Sequence, residues 1–227
     1  MARSSIVSSV LVTLACLTML GACSDPQSAA PPAAEDDFWL RRDAPPPFRT
    51  YDAATFFTST AYVAPPAGGF AFSPDADTVL VSSDASGVFN AQAVNRRTGE
   101  ITALTASADH ATFAQSFFPD DRRILFSQDE GGNELDHLMV REEDGSTRDL
   151  TPGENLKARF LGWEDSGEGF YVATNERDPQ AFDLYRYRTD DYARALVHRN
   201  DAGWDLSAVS GDGRHLALTQ NRSSTDS

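Results

Sequence analysis

Positive charge is scarce in this sequence: 19 Lys and Arg stand against 34 Asp and Glu, a formal net charge of -15. A nucleic acid is bound through a basic face that neutralises its phosphates, so this balance argues against a nucleic-acid partner. The acidic residues are spread along the chain with no long run of one sign, which reads as a solvated surface. Cysteine is rarer still, with Cys16 and Cys23 the only two. Cys16 falls in an N-terminal leader, so a chain without its leader has no disulfide to form. Past that leader no apolar run is long enough to cross a bilayer. What remains among 227 residues, 41% of them apolar and 23% charged, is a globular composition able to bury a core.

The leader itself is an export signal. Arg3 supplies a positive n-region, residues 6–19 form an apolar h-region, and small residues follow. The string LGAC at Leu20 to Cys23 resembles a bacterial lipobox. That resemblance implies cleavage after residue 22, a lipidated Cys23 and a membrane anchor of several acyl chains. Ser24 rather than Asp follows the cysteine, which implies an exported lipoprotein of the outer membrane facing the periplasm. Residues 23–47, rich in Ala, Pro, Ser and Asp, read as a flexible tether. Beyond it, YDAATFFTSTAYVAPP has room for one edge strand.

From Phe70 onward the chain repeats itself. FAFSPDADTVLVSSD, QSFFPDDRRILFSQD, FLGWEDSGEGFYVATNE and LSAVSGDGRHLALTQN each place an apolar residue before a turn and an alternating run after it. With Phe72, Phe117, Trp163 and Val209 taken as equivalent, the spacings are 45, 46 and 46 residues. Each complete copy adds a second alternating strand (Leu138 and Val140; Leu184, Tyr185 and Tyr187), a turn such as RRTGE or EEDGS, and a short last strand. Gly and Asp supply the backbone angles such hairpins demand. Four antiparallel strands in about 45 residues is the size of one β-propeller blade. The expected fold is therefore all-β, a partial propeller over residues 48–227 with blades near 70–110, 111–157, 158–203 and 204–227. A sandwich of short strands is the alternative. About three and a half blades are present, whereas closed propellers use roughly four to eight. The repeat thus predicts a reading frame that continues past Ser227.

The strings FSPDADTVLVSSD, DEGGNELDHL and NERDPQAFDLY resemble the N-terminal propeller of bacterial prolyl oligopeptidase family serine peptidases, which include acylaminoacyl and dipeptidyl peptidases. The resemblance runs from about Arg49 to Ser227. It implies a propeller that does no chemistry and limits access of short peptides to a C-terminal α/β-hydrolase domain, the partner missing here. Ala76 departs from the pattern, standing where a turn Gly is common.

Nothing in the chain matches the G-x-S-x-G elbow on which that hydrolase carries its serine. Ser86, Ser166 and Ser210 stand beside Gly, but in turns between strands, so no catalytic residue is expected. His110, His137, His198 and His215 lie at different repeat positions without metal-ligand spacing. Asp129 to Asp136 gather carboxylates around glycines without the spacing of a calcium loop. No metal or cofactor is expected. Glu142 and Glu143 sit at a hairpin turn, outside any substrate-binding motif. Arg177 and Asp178 line the propeller mouth, face a hydrolase domain or close a salt-bridged loop; the substrate-binding residues stay unassigned. Two functions follow: the gating half of a lipid-anchored serine peptidase, inactive at this length, or a non-catalytic binding lipoprotein.

Overall fold

The computed structural model describes residues 51–220; the signal, Cys23, the tether and residues 221–227 lie outside the described residues. The helix and strands below belong to the unit Ala53–Ser227. One helical turn, α1 (Ala53–Phe56), precedes the strands. The first sheet is β1 (Tyr62–Val63), β2 (Thr78–Ser83), β3 (Asn90–Asn95) and β4 (Ile101–Ala103). The second is β5 (Thr112–Phe117), β6 (Ile124–Gln128), β7 (His137–Arg141) and β8 (Thr147–Asp149). The third is β9 (Ala158–Trp163), β10 (Gly169–Asp178), β11 (Ala181–Arg188) and β12 (Arg194–His198). β13 (Asp205–Val209) and β14 (Leu216–Thr219) form a two-stranded fourth. In every sheet consecutive strands pair antiparallel.

Side chains alternate across a strand with period two, and the middle sheets are covered on both faces. On β6, Ile124 and Phe126 meet Leu80 and Ala91 of the first sheet, beside Ala114 and Phe117. Leu125 turns the other way, with Leu138 and Val140, toward Phe160, Trp163, Phe170 and Val172 of the third sheet. β10 repeats the device: Tyr171 and Ala173, together with Leu184, face Leu206 of the fourth. Burial on both faces is why ILF and FYVA read as continuous apolar runs. Aromatic pairs cross between the second and third sheets, with ring centroids 5.0 Å apart for Phe118 and Trp163 and 6.2 Å for Phe118 and Phe170. At its rim the Arg123 guanidinium lies over the Phe118 ring at 4.0 Å. It donates across to the Thr189 carbonyl and the Tyr192 hydroxyl. Burial and the hydrogen bond to Glu142 push the Tyr192 phenol up to about 12.

The first strand of each sheet is irregular at the same place. Gln115 bulges between Ala114 and Ser116, Leu161 between Phe160 and Gly162, and Ser207 between Leu206 and Ala208. In the first sheet the irregularity is far larger. Val63 pairs with Ser82, and the Leu80 N–H donates to the Ala71 carbonyl, so residues 64–70 stand where the second sheet has only Ala114 and Gln115. The strand expected over FAF is therefore reduced to isolated bridges, Phe70 to Phe117 and Phe72 to Val79. Tyr62–Val63 supplies the edge strand instead.

The turns after these strands are built from side chains. Ser73 Oγ donates to Asp75 (2.7 Å) and accepts the Thr78 N–H (3.1 Å). Ser210 does the same with Asp212 (2.6 Å) and His215 (3.0 Å). Gly213 takes a φ of 68° in its turn, and Ala76 takes 55° at the corresponding place. A side chain in this left-handed region is strained. Ala76→Gly is expected to stabilise the fold by about 0.5–1 kcal/mol, read as a higher urea midpoint at unchanged m-value.

Candidate functional site

A meander reverses direction at each strand. The loop between its second and third strands therefore emerges at the same end as the segment passing to the next sheet. At that end of the second sheet, three segments surround a cleft of about 580 Å³: the incoming passage, residues 129–136 and the outgoing passage. Gly131 and Gly132, at φ 65° and 81°, fold the loop back on itself. Its Gly131 N–H donates to His110 Nδ1 at 2.9 Å. A backbone N–H can only donate, so the neutral His110 ring carries its proton on Nε2.

His137 opens β7, and its Nδ1 lies 2.7 Å from Asp149 Oδ2 on β8. Against an ionised carboxylate Nδ1 is the donor, which leaves Nε2 for whatever occupies the cleft. The other Asp149 oxygen accepts the Thr151 N–H at 2.8 Å, so backbone fixes the carboxylate. Asp129, Glu130 and Glu154 complete the acidic lining. Behind it, burial pushes the Asp136 carboxyl up; Asp129 and Glu134 add to this, against the pull of Lys157. No hydroxyl, thiol or amine side chain lines the cleft. Oriented imidazoles, carboxylates and amides suit recognition of a hydrogen-bonding, positively charged group.

No family model and no curated protein matches the sequence. Among solved structures, TolB from Acinetobacter baumannii is 18% identical with a TM-score of 0.51, over 72% of this chain and 39% of that one. A prolyl endopeptidase structure is 15% identical with a TM-score of 0.52, over 71% of this chain and 26% of that one. The described residues form part of a β-propeller. Its blades are the successive sheets, and the chain spans well under half the length of either of these relatives.

Within the propeller the residues singled out by sequence fall as follows. Ser86, Ser166 and Ser210 all lie in turns, bonded to the Val88 carbonyl, Glu164 and Asp212. Arg177 grips Asp183 through Nε and a terminal nitrogen at 2.6 and 2.7 Å, a salt bridge across the β10–β11 hairpin. Asp178 accepts the Gln180 N–H in the adjoining turn. Glu142 accepts from Tyr192 and Glu143 from the Arg122 N–H, both at a turn of blade 2. Among the described residues no group of three His, Cys, Asp or Glu is placed to hold a metal ion. His110 and His137 are the residues that sequence reading passed over. They come from the passage between blades 1 and 2 and from the third strand of blade 2, and only the blade topology joins them. His198 borders a separate small hollow with Trp204 and Leu218, and His215 sits in the blade 4 turn.

Proposed function

We propose that this chain is the N-terminal gating propeller of a lipid-anchored serine peptidase of the prolyl oligopeptidase kind, acting on short peptides, whose hydrolase domain is encoded further along. One coincidence carries the reading: the blade fold occurs together with the strings DEGGNELDHL and NERDPQAFDLY, which resemble that family. The prolyl endopeptidase likeness, covering 71% of this chain and 26% of that one, supports it. In this reading the blades position and filter peptide, while nucleophile, base and oxyanion donors come from the hydrolase. The test is to read the gene past the codon for Ser227. A frame running through further repeats of about 45 residues into a G-x-S-x-G supports the proposal. A stop at Ser227, with protein of this length found in cells, sinks it.

A second reading, a non-catalytic binding propeller of the envelope, is favoured by the TolB likeness over 72% of the chain. It requires a frame that completes the blades and then ends.

Both readings place a lipid on Cys23. Expressed in a Gram-negative host fed labelled palmitate, the chain is expected to take up label and to fractionate with the outer membrane. Cys23→Ser is expected to abolish the labelling; label retained in that variant would refute the anchor.

A further inference from the structure

Residues 64–69, the oversized bulge of blade 1, do not stay with their own blade. The Phe70 N–H donates to Ser116 Oγ of blade 2 at 2.7 Å, and the Phe70 carbonyl accepts the Phe117 N–H at 2.8 Å. Ser116 also accepts the indole N–H of Trp163, from blade 3, at 2.8 Å, and donates to the Phe117 carbonyl. One hydroxyl, fully buried, thereby joins three blades. The Phe70 ring stacks on Trp163 with centroids 6.1 Å apart. Gly68 lies on the backbone of Leu161 and Gly162, and Gly69 on the carbonyl of Gln115. The two carbonyls met are those of the bulge residues of blades 3 and 2.

We infer that residues 64–70 are a clamp across the axial edges of blades 1, 2 and 3, which makes those blades one mechanical unit and closes the axis on their side. The first strands converge where a propeller has its channel. Their outward N–H and C=O groups are a template for any extended chain passing by, and the clamp occupies that template. It follows that opening of the propeller takes place beyond blade 3. Blade 4 is joined there by Arg159 to Asp205 and by the Asp165 N–H to the Gly211 carbonyl. The inference holds whether or not a hydrolase domain follows.

Native-state hydrogen exchange of the full chain in rising urea tests it. Amides of β2, β5 and β9 are expected to merge into one opening isotherm, with β14 opening separately and earlier. Isotherms for β2 and β9 that stay apart would overturn the clamp, and so would β14 opening together with them. Deleting residues 65–69 gives blade 1 a bulge of the size found in blade 2. In that variant Phe117 is expected to exchange about tenfold faster or more, and β2 to uncouple from β9. An unchanged pattern in the folded variant counts against the inference. Should the variant not fold, the isotherms of the natural chain decide alone.

Discussion

Replacing Gly69 by alanine is expected to cost about 3 kcal/mol of stability, well above the ordinary effect of one added methyl group. A Cβ at this position would lie 2.0 Å from the Gln115 carbonyl oxygen and 3.1 Å from its carbon. The atoms met are backbone. They belong to a strand whose neighbouring residues, Ala114 and Ser116, are paired to Phe126 and Leu125. A flexible side chain could swing aside; this carbonyl moves only if the ladder or the clamp lets go. Gly99→Ala is the control, since nothing lies within 4 Å of its added carbon. Its left-handed φ alone is expected to cost about 1 kcal/mol. Urea unfolding reads both, as lowered midpoints at unchanged m-value. A Gly69→Ala loss no larger than the control's would mean that the clamp lifts away freely.

Asp183→Ala is expected to cost about 2–3 kcal/mol, because it removes a buried carboxylate and leaves the Asn200 N–H and the partly exposed Arg177 without their acceptor. Asp183 is 1% exposed. It receives two bonds from Arg177 and one from the Asn200 N–H at 2.8 Å, so a single carboxylate holds the β10–β11 hairpin to the passage into blade 4. Asp183→Asn keeps the shape and removes the charge, separating packing from pairing. The pair also predicts a pH dependence. The Arg177 hydrogen bonds hold the Asp183 carboxyl below its usual range. With the folded pKa under an unfolded value of about 3.9, the contribution is complete above that pH and is lost as pH falls through the folded pKa. The stability gap between the natural chain and Asp183→Asn is therefore expected to shrink on acidification from pH 5 to pH 2. A gap constant across that range would show that this carboxylate is not what titrates.

The blade fold was legible because its signals are local. Ser73 with Asp75 and Ser210 with Asp212 build their turns within five residues, and such turns recur at nearly constant spacing beside apolar alternation. Even the misfit Ala76 could be marked as standing in for glycine, since the turn dictates its φ. The clamp was not legible. Its residues, APPAGG, have the composition of a linker, and what they touch is backbone carbonyl, which leaves no side-chain pattern. The cleft was hidden for another reason. His110 and His137 belong to different repeat positions, so neither spacing nor periodicity pairs them, and they come to line one cleft only once the second sheet is folded. Arg177 was readable in kind but not in partner: several carboxylates lie near it in sequence, and the fold pairs it in bidentate fashion with Asp183.

The two faces of each blade are unlike, and this gives the chain a direction in time. The face turned to the preceding blade carries most of the rings: Phe117 and Phe126 in blade 2, Phe160, Trp163, Phe170 and Tyr187 in blade 3. The face turned to the following blade is mainly aliphatic: Leu80 and Ala91, then Leu125, Leu138 and Val140, then Ala173 and Leu184. A ribosome delivers the N-terminal blade first, so a completed blade waits with its aliphatic side uncovered. The bulky aromatic groups of the next blade then emerge opposite a surface already shaped to receive them. Each addition thus covers most of its own aromatic surface as it forms, with Phe118 and Tyr171 the rings left for the blade that follows.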